Sequence, residues 1–269
     1  MSRPCSVLRV FTREGEGGNH LGVVNDVVGL DPETMQGIAA DLGFSETIFV
    51  DWQEPDAATV RIFTPVIEMP FAGHPLVGAT WALYMLGPGE VVTTLRCPTG
   101  DIAIGMEGST AFIQSVIDPA SVEPADLARY AIAAGMPPPV AGWRVAMPRI
   151  YSLLEYADAP TVASLQPDMA ELAASGSETM VFARTGDRVR ARFFAPAGGV
   201  LEDPATGSAA VALAMTRIAD GEGVGSLVID QGEEIGHPSR IMLSWWDDTV
   251  RIAGECSHDE TRLLEDDTG

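Results

Sequence analysis

The chain has 269 residues, 46% of them hydrophobic, enough for one or two domains with real cores. A net charge of −22 repels nucleic acid and anionic lipid and so excludes both as partners. All 16 basic residues are arginine, which excludes a protein-lysine Schiff base, pyridoxal phosphate anchored through one, and a P-loop built on Gly-Lys-Ser/Thr.

In chain order, the first helix has well-marked ends. Asp31 predicts an N-cap, Pro32 suits the first turn, and Gly43 predicts a left-handed terminator. Met35, Ile38, Ala39 and Leu42 fall on one apolar stripe between them. Residues 44–50 read as a strand with Phe44, Glu46, Ile48 and Val50 on one face. A carboxylate in an apolar row is expected to have a raised pKa, in the range useful to a general acid or base. The alternative is that Glu46 is solvated at the strand entrance. Residues 60–64 predict another strand, ended by Pro65, and residues 69–74 a loop. Pro75 is expected to begin a helix that is apolar on all sides through Leu86, and such a helix must be wrapped by its own domain. The second half repeats the pattern. Residues 189–194 predict a strand, Gly198-Gly199 a turn and residues 202–208 a loop, followed by an apolar helix through Met215.

The repetition extends to particular residues. Ser45-Glu46-Thr47 recurs at 177–179, an offset of 132, and Thr64-Pro65 as Ala195-Pro196, an offset of 131. Gly73-His74 recurs as Gly207-Ser208, an offset of 134, and Asp31-Pro32 as Gln166-Pro167, an offset of 135. Two copies at so long a period exclude a solenoid and predict two pseudo-symmetric α/β (α+β) domains, each a curved, mostly antiparallel sheet around a central apolar helix. The expected lobes are residues 1–117 and 118–269, with terminal strands free to cross over. A small-molecule site is expected in a cleft between them, where the N-termini of the two central helices would offer N–H groups to a carboxylate. His74, Asp203 and Ser208 would line it. Each also has a structural role open to it: His74 as an N-cap, Asp203-Pro204 as a turn, Ser208 as a helix start. Glu178 copies Glu46, so a two-base arrangement stays open.

Together Ser45-Glu46-Thr47, the stretch 61–65, the stretch Pro70-Phe71-Ala72-Gly73-His74-Pro75 and the stretch 202–209 resemble the PhzF-like (phenazine biosynthesis) isomerase family. The resemblance runs from Val10 and Gly18-Asn19 to Gln231-Gly232 and Pro238-Ser239, nearly the whole chain. It implies the diaminopimelate-epimerase-like fold and a cofactor-free, dimeric enzyme of secondary metabolism that shifts protons in small unsaturated acids. Its substrate would be small and anionic or zwitterionic. Carried over by motif, Glu46 is the acid/base, with His74, Asp203 and Ser208 catalytic beside it. Substrate contacts are expected at Asn19, Gly73, Pro75, Thr206, Gly207, Gln231 and Gly232. His74 and Ser208 stand where the related two-cysteine epimerases carry thiols, which argues against thiol-based racemisation. Two histidines depart from the family pattern: His20 is expected to be loop variation, and the role of His237 stays open.

Cys5, Cys97 and Cys256 are odd in number and show no Cys-x-x-Cys spacing, which argues against a disulfide framework and a zinc site and fits a reduced, cytoplasmic setting. No apolar run reaches membrane-spanning length, and Met1-Ser2-Arg3-Pro4 leads into strand-like sequence rather than a signal peptide. The acidic tail at Glu265-Asp266-Asp267 is expected to be disordered.

Overall fold

A computed structural model of the chain describes residues 2–52, 54–87, 92–118, 121–147 and 149–265. Asp266 and Asp267 of the acidic tail lie outside them. The chain splits into two compact units, one of Met1–Ser115 with Ala253–Gly269, the other of Val116–Ile252. The boundary lies at 115/116 against the 117/118 expected, and the C-terminal segment crosses over to the first unit, which the expected lobes left open. The reason is strand pairing: the last strand, Thr249–Glu265, runs antiparallel to the first, with Val10 opposite Cys256.

The first unit contains β1 (Ser2–Thr12), β2 (Asn19–Val24), α1 (Pro32–Leu42), β3 (Glu46–Asp51), β4 (Ala57–Phe63), β5 (Glu68–Met69), α2 (Gly73–Met85), β6 (Thr94–Cys97), β7 (Gly100–Glu107) and β8 (Thr110–Val116). The helix α1 has the ends read from its sequence. Asp31 accepts from the Thr34 N–H at 2.8 Å, and Gly43 closes the helix at φ 68°. Its apolar stripe covers one face of the sheet through Met35, Ala39, Phe49 and Phe63. The greasier α2 packs on β1, β2, β3 and β7, and most of it is buried. With both faces covered, the middle of β3 is buried at every residue from Thr47 to Val50 rather than alternating. Gly78 marks the closest approach, since a Cβ there would lie 2.3 Å from Leu21 Cδ2 and 2.8 Å from Val10 Cγ2.

The second unit contains β9 (Val122–Pro124), α3 (Ala128–Ala133), β10 (Ala141–Ala146), β11 (Ile150–Glu155), α4 (Ala159–Ser164), α5 (Met169–Ala174), β12 (Glu178–Thr185), β13 (Arg188–Ala195), β14 (Val200–Asp203), α6 (Gly207–Ala219), β15 (Val224–Gln231) and β16 (Ser239–Trp246), before the last strand, β17. Its pairings repeat those of the first unit in order. The sequence of antiparallel β1–β2, parallel β2–β3, antiparallel β3–β4 and parallel β4–β6 returns as β10–β11, β11–β12, β12–β13 and β13–β15. Even the registers correspond: Thr47 faces Phe63, and Thr179 faces Phe194. The helix α6 packs on β9, β10, β11 and β16 as α2 does on its own sheet. The other face is covered by α3, α4 and α5, through Leu127, Ala131, Val162 and Leu172. Gln166-Pro167 is not the cap its likeness to Asp31-Pro32 suggests; Asp168, one residue on, caps α5. The fold is therefore α+β and mostly sheet, with one apolar helix packed on the strands of each unit, α2 in the first and α6 in the second.

Candidate active site

In the first unit, β2 and β3 run parallel with Leu21 opposite Glu46, which brings the start of β2 beside the start of β3. Ser45 Oγ donates to Oδ1 of the buried Asn19 at 3.1 Å. Glu46 opens β3 and His74 is the second residue of α2. His74 Nδ1 lies 3.3 Å from Glu46 Oε2, with the imidazole 4% exposed and the carboxylate 20%. A carboxylate only accepts, so the contact places a proton on His74 Nδ1. His74 stands in the first turn of a helix whose N-cap, Ala72, supplies no side-chain cap, and it brings Glu46 beside that turn. The positive end of the helix dipole favours a carboxylate there.

Two further clusters lie in the second unit. Asp203 ends β14 with its side chain buried, and its Oδ2 accepts from Thr206 Oγ1 at 2.5 Å. Gln231 Nε2 donates both to the Asp203 carbonyl, at 2.7 Å, and to Thr206 Oγ1, at 3.0 Å. The chain then turns at Gly232 with φ +82°, where a Cβ would lie 2.3 Å from the His237 carbonyl oxygen and 2.7 Å from that of Pro204. Only glycine permits so tight a passage. The His237 carbonyl also accepts from Ser239 Oγ at 2.9 Å, so its residue helps hold this turn.

The other cluster surrounds the second copy of the Ser-Glu-Thr motif. Glu178 opens β12 opposite Tyr151 of β11 and forms an ion pair with Arg149. Tyr151 is buried and stands opposite Glu178 across the parallel strands, and Ser208 is the second residue of α6. Burial, reinforced by the nearby charge of Glu178, pushes the Tyr151 hydroxyl well above the ordinary phenol range.

The structure thus joins Glu46 with His74, Asp203 with Thr206 and Gln231, and Glu178 with Arg149. Some local expectations change. Neither His74 nor Ser208 is a cap residue, since Ala72 and Thr206 take those positions. Pro75 is the third residue of α2 rather than the first, still within the turn where a missing N–H costs no helical bond. His20 is not in a loop. It pairs with Arg9 inside the sheet, stacks on Phe44 with ring centroids 5.9 Å apart, and sits 3.3 Å from Asp259. Tyr151 and Arg149 escaped the sequence reading because only the parallel β11–β12 register brings them to Glu178. Among the described residues no group of three or more His, Cys, Asp or Glu is placed to hold a metal, and no helix is long and apolar enough to cross a membrane.

Residues 8–258 match the family model described as phenazine biosynthesis-like protein, PhzC-PhzF. The chain belongs to this family. It is 36% identical over 274 residues to an uncharacterized isomerase of Mesorhizobium japonicum, covering 87% of each chain. It is 34% identical over 248 residues to the trans-2,3-dihydro-3-hydroxyanthranilate isomerase of Pseudomonas aeruginosa, again covering 87% of each. The crystal structure of a PhzF-family protein from Bacillus anthracis superposes with a TM-score of 0.82 over 98% of this chain and 99% of that one, at 22% identity. This PhzF-family chain is accordingly an isomerase.

Proposed function

We propose that the protein moves a proton, and with it a double bond, within a small unsaturated carboxylic acid, using Glu46 as the sole acid/base and no cofactor. The Glu46 carboxylate takes a proton from a carbon next to the substrate's C=C bond. The released C–H electrons form a new C=C bond, and the old one shifts toward the conjugated carboxyl or carbonyl group. Protonated Glu46 then delivers the same proton to the far end of the system and is again a carboxylate. Atoms and charge balance, so the reaction needs a base and a place for transient negative charge. The observation that carries this reading is the contact of partly exposed Glu46 with buried His74 at the start of α2. The imidazole fixes the carboxylate while leaving part of it accessible. Asp203, its carboxylate oriented by Thr206 and its carbonyl held by Gln231, is assigned to the substrate's amine or hydroxyl group.

A two-base epimerase using Glu46 and Glu178 is the second reading. The ion pair that Glu178 makes with Arg149 weighs against it. The substrate named for the Pseudomonas aeruginosa relative, trans-2,3-dihydro-3-hydroxyanthranilate, is the first compound to assay. With it, Glu46→Gln is expected to lower kcat by about 10²–10⁴-fold, the usual weight of general acid–base catalysis. Wild-type turnover in that variant would overturn the assignment. Deuterium entering a stereocentre without movement of the double bond would favour the epimerase instead.

A further inference from the structure

We infer that His20 is a positioning residue for Glu46: its ring, anchored by Asp259 of the last strand, holds Phe44 and so sets where the chain enters β3. The inference rests on the reading of Glu46 as the acid/base. The ladder to β2 begins at Leu21 and Glu46, and the ladder to β4 at Thr47 and Phe63, so Phe44 and Ser45 precede both. Side chains of β2 hold the chain there instead. Asn19 and His20 are successive residues of a strand and point to opposite sides of it. The buried Asn19 accepts from Ser45 Oγ at 3.1 Å. The partly exposed His20 stacks on Phe44, with centroids 5.9 Å apart and planes 11° apart. Two consecutive residues just ahead of Glu46 are thus tied to two consecutive residues of the neighbouring strand.

The His20 ring is itself held by β17. Val7 faces Glu260 and Leu8 faces His258, so Asp259 is one extra residue in the last strand, a bulge. A bulge re-aims its side chain. Here Asp259 Oδ2 lies 3.3 Å from His20 Nε2, while its Oδ1 accepts from Arg9 Nε at 2.6 Å. Arg9 is the residue paired with His20 across β1 and β2, so the contact spans three adjacent strands. From the same last strand the Arg262 guanidinium lies over the Phe44 ring, 5.1 Å from its centroid, and its Nε donates to Glu260 at 2.8 Å. Histidine combines the two properties this place requires, a flat ring for Phe44 and an N–H for Asp259. A general base displaced by about 1 Å can lose about 10²-fold in rate, so this clamp acts on turnover rather than on substrate affinity.

The test is steady-state kinetics with trans-2,3-dihydro-3-hydroxyanthranilate, on variants shown by urea unfolding to be fully folded under the assay conditions. His20→Ala and Asp259→Ala are each expected to lower kcat about tenfold and to leave KM within about twofold. Because both act through one contact, the double variant should lose less than the product of the two. An unchanged kcat in His20→Ala, beside an inactive Glu46→Gln, overturns the inference. A second measurement needs no substrate. The chain has four histidines, so the His74 Nδ1–H resonance can be assigned by substitution. Asp259→Ala leaves both rings in place, and the resonance should move upfield as Glu46 drifts from His74. A resonance that stays where it is in wild type overturns the clamp whatever the substrate. Failure of the isomerase reading would appear separately, as turnover retained by Glu46→Gln.

Discussion

Glu46 and Glu178 occupy the same place in two copies of one motif, yet their neighbours divide them. Glu46 stands 3.3 Å from a histidine, whereas Glu178 meets an arginine and stands opposite a tyrosine. Motif and spacing identified both carboxylates and could not rank them, because the neighbours come from other strands. A similar limit applies to Cys5. The sequence shows only a cysteine without a partner, while the fold buries it completely and pushes its thiol from 9.0 to about 11. The unfolded thiol ionises first, so between about pH 9 and 11 the folded chain keeps a proton that the unfolded chain has lost. Stability should therefore fall as pH rises through that window, with a slope approaching about 1.4 kcal/mol per pH unit from this group. Urea midpoints at a series of pH values check this: Cys5→Ala should decline less steeply than wild type above pH 9.

At the scale of elements, α1 was fully legible, because its cap, stripe and terminator are local. Asp31 and Gly43 act through residues within four positions of themselves. The start of α2 was less so. Pro75 is compatible with several first-turn positions, and nothing local says that the helix begins at Gly73. The start of β3 at Glu46 rather than Phe44 has the same cause, since its end depends on a partner strand. Glycines inside helices separate local propensity from packing. Gly37 of α1 is exposed, and a methyl group added there would meet nothing within 4 Å, so Gly37→Ala should stabilise by about 0.5–1 kcal/mol. Gly78 of α2 meets buried Leu21 and Val10, so Gly78→Ala should cost about 1–3 kcal/mol despite the better helix former. Chemical denaturation of both variants decides the comparison, and a stabilised Gly78→Ala would refute the close approach.

For the whole molecule, charge is the dominant sequence-level fact. Against 38 acidic residues stand 16 arginines, and the fold gives many of those arginines carboxylate partners. Arg192 makes a bidentate pair with Glu202 at 2.9 and 2.8 Å while also donating to the Leu165 carbonyl at 2.7 Å. Exposed pairs contribute little each, whereas the surplus of negative charge repels itself over long distances. Raising salt from about 0.1 M to about 1 M shortens the screening length from about 10 Å to about 3 Å and should raise the melting temperature. A lower melting temperature in high salt would mean that the ion pairs outweigh the repulsion.

The twofold repeat, the apolar central helices, the exclusion of lysine chemistry and the principal candidate residues can all be read along the chain. These are written in local periodicity, composition and recurring motifs, which need no partner strand to be read. Folding was needed to return the C-terminal strand to the first unit, to set His20 within a sheet, and to bring Glu46 to His74 but Glu178 to Arg149, opposite Tyr151. Each of those outcomes depends on strand register and on contacts between residues far apart in the chain. A side chain's chemistry is set by such neighbours, and no local pattern encodes them.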